Sequence, residues 1–253
     1  MELNMPILFP RSPAIADHYR DPDVLANLHR QLKAKDFVKL PDFLLPSAYD
    51  VVAQNLEYLH SQRIRKEFVM PGFNTERRMS VVGGKRVTDL SLQLIALYGN
   101  HDLRRTISTI IGAHIHTVCH EEEFMVVNFL DGEADTHGWH TDDPEYALIL
   151  ITESPGENGG GELEYIPDWH NFCTNNGLDP VSKINTAIEL AFSLGLAESS
   201  KLAAGDCYLL NASNALHRVT PIIGNGRRKA LNMAFDTRRF RHYGETAYLL
   251  YAS

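Results

Sequence analysis

The chain has 253 residues, 44% hydrophobic and 22% charged, with a formal net charge of −8. That length suits one large domain with a full core, and the acidic balance argues against a protein that binds nucleic acid through phosphate contacts. No apolar run reaches membrane-spanning length, no secretory leader pattern is expected at the N-terminus, and Cys119, Cys173 and Cys207 are odd in number and far apart, which points to reduced thiols and a cytoplasmic setting rather than a disulfide frame.

Residues 1–21 read as an irregular lead-in with Pro6, Pro10 and Pro13. Asp21-Pro22-Asp23 opens a helix, with proline early and acid in its first turn, and Leu25, Leu28 and Leu32 at helical spacing. Residues 36–43 alternate as a strand ended by Pro41. Ser47 is expected to cap a second helix with an apolar stripe of Val51, Val52, Leu56 and Leu59. A loop at Met70-Pro-Gly-Phe precedes a strand from Arg77 that runs into Gly83-Gly84. One helix opens at Thr88 and runs through Tyr98, and another begins at Asn100, carrying Leu103, Ile107 and Ile110.

From residue 113 the period changes to that of strands. Strands are expected over 114–119, over 123–130, ended by Asp131-Gly132, and over 146–151, a continuous apolar run suited to burial. After a glycine turn comes a strand over 161–166, then an insert over 168–200 that is helical from 181 to 196. The turn at Gly205-Asp206 feeds a strand to Leu210; a short strand carries His217; Gly224-Asn225-Gly226 turns into a last strand from Arg228. Helices followed by many short strands give an α+β class, with an antiparallel jelly-roll that closes its own edges. The expected organisation is a single domain, 1–253, with 1–112 mainly helical, 113–240 the jelly-roll core and 241–253 a C-terminal tail.

The chemistry gathers around His137-Gly-Trp-His140-Thr-Asp142-Asp143 and His217. His140, Asp142 and His217 can put two imidazoles and a carboxylate on one face of a divalent metal, the pattern of non-haem Fe(II) oxygenases. A short His-x-Asp occurs often by chance, and its plain alternative is a surface histidine beside a solvated aspartate. The context behind His217 separates the two. Along the last strand Arg228, Ala230, Asn232 and Ala234 share one face, while Arg227, Lys229, Leu231, Met233 and Phe235 share the other. The first face has the small residues of a cavity wall and a guanidinium suited to a two-point clamp on a carboxylate. Arg227 is the alternative clamp. His137 is expected to line the pocket, and Trp139 to serve packing. Glu123 shares a face with Met125 and Val127 and is expected to point into the site; Asp143 adds a second spare carboxylate, with capping of a turn before Pro144 as its plain alternative. Two surplus carboxylates suit a cationic substrate, and Arg77, with Arg78 beside it as alternative, supplies the opposite charge for a substrate carboxylate.

These features resemble the Fe(II)/2-oxoglutarate-dependent dioxygenases, in which a His-x-Asp…His triad holds iron and a basic residue about ten positions past the second histidine binds the distal carboxylate of 2-oxoglutarate. Gly160-Gly161-Glu-Leu-Glu-Tyr and Ala204-Gly205-Asp206-Cys-Tyr also resemble the double-stranded β-helix core of that superfamily. The usual spacing favours Arg227; strand alternation favours Arg228. The arrangement His-x-x-His-x-(Asp or Gly)-Asp, with an upstream Glu, a downstream His and an Asn in the last strand, is similar to the radical halogenases and hydroxylases of free lysine and related amino acids. In those halogenases glycine replaces the carboxylate ligand; this chain has Asp142, so the resemblance implies the hydroxylase branch. It further implies that Glu123, His137, Asp143, Asn232 and Arg77 hold the amino acid, that Fe(II), 2-oxoglutarate and O₂ are required, and that the partner is a small amino acid, lysine first, with neither nucleic acid nor membrane. Homo-oligomerisation is left open. Two rival classes are a hydroxylase of a peptide or other small molecule, and a non-catalytic metal-binding jelly-roll.

Overall fold

The computed structural model describes residues 7–252; Pro6 of the expected lead-in lies outside the described residues. Helix α1 (Pro22–Lys35) starts where the Asp21 side chain accepts the Asp23 amide at 2.8 Å, satisfying one first-turn N–H, while Pro22 has none to satisfy. It stops at Asp36, whose backbone is left-handed with φ 55°. Strand β1 (Phe37–Leu40) follows. Helix α2 (Pro46–His60) buries Val51, Val52, Leu56 and Leu59 as expected, but it opens on Pro46 with no side-chain cap, so Ser47 lies inside it. Strands β2 (Ile64–Met70) and β3 (Thr75–Val82) pair as a hairpin. The helix expected from Thr88 is two, α3 (Gly84–Leu90) and α4 (Leu92–Tyr98), because the Ser91 hydroxyl accepts the Leu94 amide and starts a new helix. Helix α5 (His101–Ile111) is capped by Asn100 and ended by Gly112 at φ 80°, a left-handed position that favours glycine.

The second half supplies β4 (His116–Thr117), β5 (Met125–Leu130), β6 (Thr136–His140), β7 (Tyr146–Glu153), β8 (Leu163–Ile166), α6 (Trp169–Asn175), α7 (Ile184–Ser193), β9 (Glu198–Ser200), β10 (Cys207–Leu210), β11 (Leu216–Val219), β12 (Arg228–Asp236) and α8 (Thr246–Tyr251). The strand expected over 114–119 is reduced to two residues, and the insert holds a short strand as well as its helices.

Among the described residues twelve strands form one antiparallel sheet, in the order β1-β10-β7-β12-β5-β3-β6-β11-β8-β9, with β2 added to β3 and β4 to β12. Strand β3 is where this sheet turns on itself. Its Ser80–Val82 end pairs with β5, while Arg77 and Arg78 pair with His137 and Thr136 of β6. The first half of the chain therefore contributes both helices and the strand that joins the two faces of the jelly-roll. Strand alternation then separates core from cavity. Leu231, Met233 and Phe235 of β12 and Met125, Val127 and Phe129 of β5 pack against the helices in the main core. Their alternating neighbours, Arg228, Ala230, Asn232, Asn128 and Leu130, line a cavity inside the fold. No helix among the described residues is long and apolar enough to cross a membrane.

Candidate active site

The pairing of β6 with β11 builds the centre of the cavity. His217 stands opposite His140, and Val219 stands opposite His137. Two steps along β11 thus answer three along β6, a bulge at Gly138-Trp139. Ordinary alternation would send residues 137 and 140 to opposite faces; the extra residue brings both into the cavity, a re-aiming of side chains that bulges commonly provide beside active sites. Gly138 is required there, because a Cβ would lie 2.6 Å from the Glu76 carbonyl oxygen. Trp139 points the other way, into a cluster with Ile166, Trp169 and Leu216, under the Arg218 guanidinium at 4.8 Å.

One ligand atom each from His140, Asp142 and His217 lies within 4.8 Å of the others. An Asp142 carboxylate oxygen is 3.4 Å from His140 Nε2 and 3.8 Å from His217 Nε2. His140 Nδ1 is 2.7 Å from the Gly138 carbonyl and His217 Nδ1 is 3.0 Å from that of Ala215. A carbonyl only accepts, so each ring donates from Nδ1 and turns Nε2 to the centre, the orientation a metal ligand needs. Burial, with repulsion from His217, lowers the His140 pKa to about 4. Burial works against the charge on Asp142, but the neighbouring side chains of His140, His217 and Arg77 outweigh it and hold that carboxyl low. Two imidazole nitrogens and one carboxylate on a single face fit a divalent first-row metal with open positions, the donor set of non-haem Fe(II) sites.

On one side of this triad, Arg228 is 3% exposed, while its neighbour Arg227 is exposed at the surface. Arg228 Nη2 is buried without a hydrogen-bond partner, and the Tyr208 side chain lies against it. Asn232 also lines the cavity with an unpartnered Oδ1. On the strand before the triad, Arg77 is fully buried, with Nε and Nη2 unpartnered and Nη1 donating to the Thr75 hydroxyl at 3.0 Å and the Glu76 carbonyl at 3.1 Å. Burial lowers its pKa to about 10. Arg78 faces the opposite way, toward Glu67 and Asp135. His137 stacks on His140 with ring centroids 4.0 Å apart and leaves Nε2 buried and free; burial and the neighbouring positive groups keep it neutral.

Glu123 is close to the site for a different reason from the expected one. Met125 and Val127 belong to the helix-side core, so sharing their face would carry Glu123 away from the cavity. It instead sits in the turn before β5, its amide bonded to the His120 carbonyl, with a buried, unpartnered Oε2. Burial and the carboxylates of Asp142, Asp143 and Asp236 push its pKa up to about 9. Asp143 accepts the Gly244 amide at 2.7 Å, which ties the C-terminal segment to the loop that carries Asp142.

Tyr208, Tyr251 and Asn128 line the cavity and were not singled out from the sequence. Asn128 had a signal, being the polar residue in the otherwise apolar Met125–Leu130. Tyr251 had none, because α8 reaches the cavity only through the return of the C-terminal tail.

The surrounding fold is that of the iron- and 2-oxoglutarate-dependent oxygenases. The epimerase SnoN of nogalamycin biosynthesis, described as non-haem and α-ketoglutarate dependent, aligns with a TM-score of 0.63 at 16% identity, over 85% of this chain and 82% of its own. An oxidoreductase of the 2OG-Fe(II) oxygenase family from Burkholderia pseudomallei aligns at 0.56 and 14%, over 86% and 92%. A prolyl-4-hydroxylase from Pseudomonas putida aligns at 0.52 and 13%, over 85% and 99%. No curated protein sequence matches. The sequence model of the family described as Halogenase D matches residues 20–247, and the chain belongs to that family.

Proposed function

We propose that the protein is an Fe(II)/2-oxoglutarate-dependent hydroxylase of a free basic amino acid, with lysine the first candidate. The observation that carries the substrate class is the pair of buried, incompletely partnered ionisable groups flanking the triad: the Arg77 guanidinium on one strand, and in the turn beside Asp142 and Asp143 the Glu123 carboxyl, which burial and those carboxylates keep protonated until a cation arrives. A buried ionic group without its counter-charge is costly. A ligand with both an ammonium and a carboxylate answers both groups at once, and a free amino acid is the smallest such ligand.

His140, Asp142 and His217 would hold the iron, and Arg228 with Tyr208 would take the distal carboxylate of 2-oxoglutarate. When bound, the iron and its co-substrate supply O₂ activation and oxidative decarboxylation to succinate and CO₂, with oxidation of an unactivated C–H bond. The chain's own residues do the positioning. Arg77 offers two unpartnered guanidinium nitrogens to the amino-acid carboxylate. Asp143 offers a carboxylate to the ammonium groups, and Glu123 an acceptor that becomes anionic as a bound ammonium offsets the burial and repulsion that hold its proton. His137 and Asn232 present polar atoms to whatever lies between. Tethers at both ends fix which carbon faces the metal, and about 1 Å of misplacement costs on the order of 100-fold in rate. Asp142 argues for hydroxylation over halogenation within the Halogenase D family, since its carboxylate fills the position a halide would need.

The test is succinate formation with lysine, ornithine and arginine against lysine methyl ester, norleucine and a lysine-containing peptide. Turnover confined to the free basic amino acids, with gain of one oxygen atom, supports the reading. Equal turnover of the ester or the peptide removes Arg77 as a carboxylate anchor and moves the protein to the peptide-hydroxylase class.

A further inference from the structure

Asp36 lies 106 positions before Asp142 and does not line the cavity that holds the triad, yet it ties together the turn that holds two of the three metal ligands. It sits at the end of α1 in a left-handed conformation, φ 55°, and is 8% exposed. One carboxylate oxygen accepts the Asn211 amide side chain at 2.8 Å; the other accepts the Asn214 side chain at 2.7 Å and the Asp168 backbone N–H at 2.8 Å. The Asp36 carbonyl also accepts the Asn211 N–H at 2.8 Å. Four donors from two distant segments thus converge on one residue.

Residues 211–215 form the connection between β10 and β11. Within it the Asn211 carbonyl accepts the amides of Asn214 and Ala215 at 3.1 and 2.9 Å, so the connection is a compact turn whose two asparagine side chains both point at Asp36. Two of its other carbonyls reach the metal ligands, while that of Asn214 accepts the Trp169 amide at 2.9 Å. Ala212 O accepts the backbone N–H of Asp142 at 3.0 Å, and Ala215 O accepts Nδ1–H of His217 at 3.0 Å. The first contact fixes where the carboxylate ligand leaves the backbone. The second fixes the tautomer and the ring plane of the histidine ligand. Groups that orient ligands in this way, once removed, commonly cost 10- to 100-fold in metal affinity.

We propose that Asp36 is a positioning residue for the metal centre, acting through the 211–215 turn on Asp142 and His217 together. The charge matters as well as the shape. A carboxylate accepts at both oxygens, and three side-chain or backbone donors use both of them. An asparagine in its place keeps the volume and tolerates the left-handed backbone, but it turns an NH₂ toward donors that need an acceptor, so the turn loses at least one of its anchors.

The proposal rests on the triad being a metal site, and the test separates the two. Co(II) alone is titrated into the apoprotein and followed by its visible absorption and its electron paramagnetic resonance line shape. The parent protein is expected to bind one Co(II). Asp36→Asn is expected to bind it at least ~10-fold more weakly, with a changed line shape, and the reciprocal pair Asp36→Asn with Asn214→Asp to recover part of that loss by exchanging donor and acceptor. Should Asp36→Asn fold poorly, Asn214→Ala removes a single anchor and is expected to weaken Co(II) by a few-fold. Failure of the parent to bind Co(II) at His140, Asp142 and His217 overturns the metal reading and this proposal with it. Parent-like Co(II) affinity and line shape in the foldable variants, even with a lowered melting temperature, overturn the positioning role alone.

Discussion

Arg228→Ala is the substitution with the most to say about the co-substrate. The guanidinium is 3% exposed, has an unpartnered Nη2 and lies against Tyr208 inside the cavity; one residue away, Arg227 is at the surface. Loss of a charge-assisted, two-point contact to a carboxylate costs ~2–3 kcal/mol, or roughly 30- to 150-fold in affinity. Arg228→Ala should raise the 2-oxoglutarate concentration needed for half-maximal succinate formation by about that factor, and Arg228→Lys, which keeps the charge without the fork, by less. Arg227→Ala should change it less than twofold, the range of ordinary surface substitutions. The assay is initial-rate succinate formation across a 2-oxoglutarate series at saturating Fe(II) and lysine, paired with direct binding under anaerobic conditions. A larger effect from Arg227→Ala would show that the strand face facing the co-substrate has been misassigned.

Other substitutions separate the remaining roles. His217→Ala should abolish turnover and weaken Fe(II) binding, because two ligands do not define the open face; near-normal turnover at ordinary iron supply would remove it from the triad. Arg77→Leu should raise the KM for lysine by ~30-fold or more while leaving 2-oxoglutarate binding intact, and Arg78→Ala should affect neither. Asp142→Gly should lose most hydroxylation, with a small halogenated or azidated product in chloride or azide seen by mass spectrometry. Leu231→Ala, in the helix-side core with 0% exposure, should lower unfolding free energy by about 2–5 kcal/mol without changing the 2-oxoglutarate requirement.

The catalytic half of the chain was legible because it obeys period two. Lys229, Leu231, Met233 and Phe235 against Arg228, Ala230 and Asn232 predict the two faces of β12 correctly. The same rule failed wherever the backbone departed from it. The bulge at Gly138 puts His137 and His140 on one face, and no alternation count reveals that. Glu123 lies before its strand begins, so the rule assigned it to the wrong side. The helix boundary at Ser91 turns on a single hydroxyl bond to Leu94, as good an interruption as a glycine but invisible as a break in apolar spacing. Long-range returns were the other blind spot. Strand β3 joins both faces of the sheet, Tyr251 returns from the last helix, and Asp36 reaches residues 175 and 178 positions away. Each depends on closure of the whole fold.

The central claim is tested most directly by isotope tracing. The enzyme is incubated with Fe(II), 2-oxoglutarate, lysine and ¹⁸O₂, and both products are analysed by mass spectrometry. The account predicts one ¹⁸O atom in succinate and one in a monohydroxylated lysine, formed in equal amounts. Labelled succinate with unchanged lysine, when another compound from the panel takes up the second oxygen atom, would contradict the basic-amino-acid assignment. An absence of labelled succinate with every substrate would contradict the oxygenase itself.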